Sequence, residues 1–562
     1  VPFGRGGNGF TVLDITDPDK PLHLYTIYNN HIKNKVMVMN HLNVLSQYEY
    51  IDDVYSLAET EEGQNALDIY LNAADKDAAD LDKCDATGNT TCYDSRTWTF
   101  PEAGIKKSEF IITIDGVNIP NFTVQTGSSG GTQIVLPKTV SYQAHEDRTK
   151  SADDVEIKLT KSAITRLSTN LPAAYDYKEL GETWSAPRIF RLPNSGAGDN
   201  KIDDDIYVAV MGGGYGGRDD KVGSALFVIN LEDSVTPGKL EKVIPIKDEK
   251  SLNIVNSVPG TPVVVTADQA RGIKYKGALV YVNDFEGKIT KFNLTNMDND
   301  GDGNKINLYD NTTLLSIEAS RENGRYQYHS MDAGIGKTSR HFWMFSGTGD
   351  YERMTARDTK IDNLMYGFRD KNFPLYKKIS SSTALSNGLQ LCADTTNDKT
   401  GSKCPVTTNS STIIGGGQIG TPQARNKKDL GWYIKLPASQ KVTAEPTVSN
   451  GLVYFPIFEP SQSANKCSLG LALICAVDDE CGTNVSSQLG NLKSQTIDGK
   501  VYAGKTCYAV GQGVLSRLVV FANKLFANIA GKSVQNKTDL VVIDAGMGDI
   551  ESFRSSWREG NF

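Results

Sequence analysis

Between residues 296 and 304 the chain carries an Asn or Asp at every second position: Asn296, Asp298, Asp300, Asp302 and Asn304, with Gly301 and Gly303 between them. Oxygen-bearing side chains in that alternation suit a hard cation such as Ca²⁺, which takes about six to eight oxygen ligands from a tightly turned loop. One register, Asn296-x-Asp298-x-Asp300-Gly301-x-x-Asn304, fits a D/N-x-D/N-x-D/N-G-x-x-D/N loop, with Asp302 offering its backbone carbonyl. A register starting at Asp298 resembles the opening of an EF-hand. It then meets Ile306 and Tyr309, where that motif wants a ligand and a bidentate Glu. The first register is the preferred one. The plainer alternative is a solvated Asn/Asp/Gly turn. Three carboxylates drawn together at Asp298, Asp300 and Asp302 would repel, so the loop is expected to open locally when no cation holds it.

The elements that position this loop are two alternating strands just before it, Leu279–Val282 and Lys288–Asn293, joined by a turn ending at Gly287. The same unit recurs: a strand, a Gly-containing loop, and a second aliphatic strand. It is found at Ile206–Met211 and Ala225–Leu231, His341–Phe345 and Leu364–Phe368, Leu452–Phe458 and Leu471–Val477, and Leu525–Ile529 and Leu540–Ile543, with a lone strand at Gly9–Ile15. Pro187, Pro262 and Pro446 stand before several copies, where a first strand needs no ladder donor. Repetition of small sheets predicts an all-β fold, a β-propeller of six to eight blades with seven as the central count. Stacked β-sandwiches are the competing architecture.

The first propeller strands are assigned to 1–30, an inserted α/β lobe to 31–180 and the remaining blades to 181–562. Within the insertion, Lys33 to about Asp82 has apolar residues at helical spacing, and from Ser108 the pattern changes to strands.

With 59 Lys and Arg against 67 Asp and Glu, the net charge of −8 argues against nucleic acid or an anionic membrane as the main partner. No apolar run is long enough to span a bilayer. The opening Val1-Pro2-Phe3-Gly4 reads as the start of a fragment of a longer protein. Of the eight cysteines, Cys84 with Cys92 and Cys392 with Cys404 bracket short polar loops and predict local disulfides. Cys467, Cys475, Cys481 and Cys507 can pair in three ways. Reduced core thiols are the alternative. No C-x-x-C spacing supports zinc. Disulfides imply export.

Catalytic chemistry is not evident. The GGGYGG at 212–217 lies in a hairpin with no helix after it, so it reads as a close approach of two backbones, not a phosphate loop. His329, Ser330 and Asp332 are neighbours in sequence, which does not make a triad.

Four segments, ETWSAPRIF (182–190), YVAVMGGGYGG (207–217), GALVYVNDFEGKITKFNL (277–294) and SSWRE (555–559), resemble the C-terminal domain of the PilC/PilY family of type IV pilus accessory proteins. The likeness covers about 1–30 and 180–562 and is nearer to the Neisseria-like PilC branch. It implies a calcium-binding, non-enzymatic factor of the bacterial cell surface, pilus tip and outer membrane. Such a protein opposes pilus retraction and supports twitching motility, host-cell adherence and virulence. Minor pilins or tip subunits, a host-cell receptor and the outer membrane secretin machinery are the partners implied. The family's calcium ligands carry over onto Asn296, Asp298, Asp300, Asp302 and Asn304, with Asn at both ends where the family has Asp. Fewer carboxylates imply weaker, submillimolar to millimolar affinity. No RGD tripeptide occurs, so integrin binding through that motif is not implied. The competing readings are a periplasmic quinone-dependent oxidoreductase on the same ring and a calcium-dependent surface lectin.

Overall fold

The computed structural model describes the strands and most of their connections. Residues 51–96, 138–154, 160–172, 194–204, 217–221, 247–255, 267–274, 380–430, 462–468, 483–494, 503–506, 534–539, 546–562 and a few shorter stretches lie outside the described residues. The expected pairs Cys84–Cys92 and Cys392–Cys404, and the terminal SSWRE, fall there. The chain divides into two compact units, Val1–Ile32, Met37–Ser46 and Tyr177–Phe562 in one, Lys33–Val36 and Gln47–Asp176 in the other.

In the larger unit, the strand-loop-strand repeats grow into four-stranded antiparallel sheets whose strands follow chain order. One consists of Arg188–Leu192, Ile206–Gly212, Ala225–Asn230 and Leu240–Pro245. The next consists of Val263–Val265, Gly277–Asn283, Lys288–Thr295 and Asn311–Ser316. A third holds Asp332–Ile335, Phe342–Gly347, Leu364–Arg369 and Gly431–Lys435. A larger sheet follows, built on Leu452–Glu459, Leu471–Asp478, Cys507–Leu515 and Lys524–Ser533. Pro187, Pro262 and Pro446 each stand directly before the first strand of a sheet or subsheet, as Pro's missing donor requires.

Why the central strands read as unbroken apolar runs is now plain: both of their faces are covered. Successive side chains of a strand point to opposite faces. From Gly277–Asn283, Ala278, Val280 and Val282 pack with Val208, Val210, Leu226 and Val228 of the preceding sheet. The residues between them, Leu279 and Tyr281, pack with Phe342, Met344, Leu364 and Tyr366 of the following one. That sheet's other face, Trp343, Phe345 and Met365, joins Val453, Phe455, Leu473 and Cys475. Each fully buried Val, Leu or Phe stabilises the fold by about 1.5–3 kcal/mol. Consecutive sheets therefore share their cores pairwise, as blades do. Among the four late cysteines, Cys475 and Cys507 lie opposite each other on neighbouring strands and form a disulfide.

The helical reading of residues 33–82 is overturned where the structure describes it. Lys35–Asn40 and Leu45–Glu49 are strands in one sheet with Gly9–Asp14 and Leu22–Asn30. A short apolar run such as VMVM satisfies both periodicities. What decides is the turn: Asn40 Oδ1 accepts from the amides of Leu42 and Val44, and Asn43 adopts a left-handed backbone, φ 58°. Residues 51–82 lie outside the described residues. In the smaller unit the predicted strands are present. Thr97–Phe100, Thr132–Val135 and Thr123–Thr126 form one sheet, and Phe110–Ile114 is flanked by Val155–Leu159 and Val117–Asn118.

Candidate cation-binding loop

The hairpin before the loop pairs in register from Gly277 opposite Thr295 to Asn283 opposite Ile289. Its turn is set by Asp284, whose Oδ1 accepts from the Lys288 amide at 2.9 Å, and by Gly287 at φ 81°. A Cβ at Gly287 would stand 2.1 Å from Ile317 Cγ1, so Gly is required there. The chain leaves the second strand at Thr295 and enters the acidic loop, while Ile306, buried in the core between two sheets, closes it. Asn296 N donates to the Lys276 carbonyl at 2.9 Å and Ile306 N to the Asp298 carbonyl at 3.0 Å. The first bond ties the loop's entry to the base of the hairpin, and the second closes the loop on itself above the buried Ile306.

Inside the loop Asp300 is the centre. It is 6% exposed, whereas Asp302 has a side chain 62% exposed. Asp300 Oδ1 accepts from the amides of Asp302 at 3.0 Å and Asn304 at 3.1 Å, and its Oδ2 accepts from Asn304 Nδ2 at 2.9 Å. The Asn304 carboxamide foremost, then these amides, hold the Asp300 carboxyl below the usual carboxylate range. Gly301 and Gly303 take left-handed φ values of 85° and 91°, which fold the chain tightly around that carboxylate. Asp298 Oδ1 accepts from Asn299 Nδ2 at 2.7 Å, and Asp302 pairs with the Lys377 ammonium.

Of the five residues singled out by spacing, Asp300 and Asn304 are brought into direct contact. Asp298 and Asp302 lie on the same loop with their carboxylates engaged by Asn299 and Lys377, and Asn296 stands at its entry. The three carboxylates do not crowd one another. Among the described residues no three Asp, Glu, His or Cys side chains converge in a metal-holding group. The donor set still has the chemistry of a hard-cation site: carboxylates, carboxamides and turned backbone carbonyls, with no nitrogen or sulfur ligand. An ammonium, a cation in its own right, already stands on one of those carboxylates.

Two participants escaped the spacing argument. Asn299, between the expected ligands, braces Asp298 and accepts from the Gly301 amide at 3.1 Å. Lys377 arrives from a strap, residues 370–379, that follows the strand Leu364–Arg369. Leu375 of this strap lies against Gly301, where a Cβ would come within 2.7 Å of Leu375 Cδ1. A partner 75 residues away leaves no local signal.

No protein-family profile matches the chain. Over 320 residues, 54% of this chain, it is 23% identical to the "Type IV pilus biogenesis factor PilY1 homolog" of Xylella fastidiosa. Over about half its length, then, the chain is similar to a PilY1 homolog. It spans 19% of the length of that PilY1 homolog. The crystal structure of the Pseudomonas aeruginosa PilY1 C-terminal domain is also similar, at a TM-score of 0.40 and 15% identity over 66% of this chain and 74% of that one. Among the described residues no helix is long and apolar enough to cross a membrane.

Proposed function

We propose that this chain is a calcium-binding portion of a type IV pilus biogenesis factor, acting by binding and regulation and not as an enzyme. The single observation that carries the calcium part is the 296–304 loop. It is an all-oxygen donor set wrapped by two left-handed glycines, bonded at its entry to Lys276 beside the hairpin and closed by the buried Ile306. The pilus part is supported by the similarity to the PilY1 homolog, which is named for type IV pilus biogenesis. In this reading Asp298, Asp300 and Asn304 hold Ca²⁺ together with Asn296 and Asp302, and the cation supplies positive charge that knits the loop. The sheets form a propeller of six to eight blades, seven as the central count, with a lobe inserted within 31–180. The protein is exported to the cell surface, where it works with minor pilins or tip subunits, and with the secretin machinery, to oppose retraction. Adherence to a host receptor, twitching motility and virulence follow from that position.

Asp300→Ala tests it. Calorimetry should show calcium binding by the wild-type chain and none by the variant, with an unchanged far-UV spectrum. In the bacterium that carries the protein, the same substitution should alter twitching motility or adhesion. Normal calcium binding by Asp300→Ala removes the site. Lost binding with unchanged motility and adhesion reduces it to a structural clip.

A further inference from the structure

A cation already stands against the acidic loop, and it belongs to the chain itself. Lys377 pairs with Asp302 through Nζ and Oδ2. The strap that delivers it is fixed on both sides. At its start Asp370 accepts from Lys291 Nζ and from the Tyr281 hydroxyl. In its middle the Leu375 carbonyl accepts from Lys291 Nζ at 2.7 Å, and Tyr376 is fully buried. At its end Ile379 exchanges bonds with Thr312, its amide donating to Oγ1 at 2.8 Å and its carbonyl accepting from Oγ1 at 3.2 Å. The Lys377 side chain, 38% exposed, is the part of this arrangement that can leave for water without moving the backbone.

From this geometry, and resting on the calcium reading above, we propose that Lys377 is an internal competitor for the cation and sets the calcium threshold of the loop. A divalent ion among Asp298, Asp300 and Asn304 would lie beside the ammonium on Asp302, and like charges at such range repel. Calcium binding and the Lys377–Asp302 pair therefore oppose each other. Loading the loop expels the ammonium, and the ammonium in turn weakens loading. The long stem of lysine and its three rotatable donors suit a group that must depart and return. The antagonism also acts on an affinity already lowered by the two terminal Asn residues, shifting the working range upward.

Because the pair is exposed, its effect is bounded. Removing Lys377 should tighten calcium binding by about two- to fivefold, the scale of an exposed ion pair. Calorimetry on the full chain compares Lys377→Met with Lys378→Met, which removes the same charge from the exposed neighbouring position. Tighter binding in Lys377→Met alone supports the proposal. Equal gains in the two variants, or no gain in either, overturn it and leave the calcium reading intact. Absence of calcium binding by the wild-type chain overturns both. A second measurement needs no variant. Acylation of Lys377, followed by mass spectrometry, should quicken when calcium is added, while that of Lys378 should not. An unchanged or slower Lys377 rate in a chain that binds calcium overturns the proposal.

Discussion

The ammonium of Lys291 lies 2.5 Å from a carboxylate oxygen of Asp370, and each side chain is only 1% exposed. Lys291 lies in the hairpin that carries the acidic loop, and Asp370 opens the strap that follows the strand Leu364–Arg369 of the next sheet. Burial lowers the pKa of Lys291, and Asp370 opposes that fall. Breaking such a pair by removing one partner leaves a buried, uncompensated charge. Lys291→Met is expected to cost about 3–5 kcal/mol, and the double variant Lys291→Met/Asp370→Leu to recover much of it. Urea unfolding of the three proteins checks this. A single variant as stable as wild type would show that the pair is not the tie between hairpin and strap.

The buried carboxylates of the hairpin turn give stability a pH dependence. Burial foremost, then the neighbouring Glu286 carboxylate, raise the pKa of Asp284 to about 7, against the lowering influence of Lys288 and the Asn256 amide. Asn256 Nδ2 donates to Asp284 at 3.0 Å and to Glu286 at 2.7 Å. A carboxyl with a raised native pKa holds its proton in the folded state after the unfolded chain has released it. Its contribution is therefore full below about pH 4 and is lost as pH rises through about 7. Asp284→Asn, which keeps the shape and cannot titrate, should flatten the fall in unfolding free energy between pH 5 and 8, a fall on the order of 2–4 kcal/mol in the wild type. His329 has the opposite sign: burial lowers its pKa to about 4, so its contribution is lost as pH falls below the ordinary histidine value. An Asp284→Asn profile parallel to wild type would refute the assignment.

Gly214 sits where two backbones cross. Its φ is 92°, its amide donates to the Val258 carbonyl at 3.0 Å, and a Cβ would fall 2.2 Å from the Glu182 carbonyl oxygen. Glu182 and Tyr215 exchange backbone bonds at 2.7 and 2.8 Å beside it. Gly4, also left-handed at φ 77°, has nothing within 4 Å of its would-be Cβ. Gly214→Ala should therefore cost clearly more than about 1 kcal/mol, and Gly4→Ala no more than roughly that conformational amount. Equal losses by thermal unfolding would mean the crossing is looser than drawn.

The strand pairs were legible in the sequence because burial on both faces makes unmistakable apolar runs, and Gly-rich turns punctuate them. The short first strands were not: Val263–Val265 and Thr447–Ser449 have three residues each, too few for any period. Thr447–Ser449 is joined to Leu452–Glu459 by Asn450 and Gly451, with φ values of 49° and 82°. That Asn-Gly turn was a readable hairpin signal that strand counting passed over. Residues 35–49 misled because a hydrophobic run of that length fits a helix as well as a strand until the turn at Asn43 is weighed. At the candidate site, spacing marks the acidic loop, and the hydrogen bonds gathered on Asp300 appear only in the fold. Spacing could not find Lys377 or choose Cys507 as the partner of Cys475, since both relationships are made by sheets meeting in space.

The pairwise sharing of cores carries a consequence for how this chain comes to its structure. The meanders of Arg188–Pro245 and Val263–Ser316 close through contacts between segments near one another in sequence, which keeps the chain-entropy cost of their closure small. The apolar face left bare by one finished meander, such as Ala278, Val280 and Val282 against Val208 and Val210, is covered by the segment next to it along the polypeptide. A chain assembled this way can consolidate progressively along its length, each completed layer serving as the surface on which the following layer condenses.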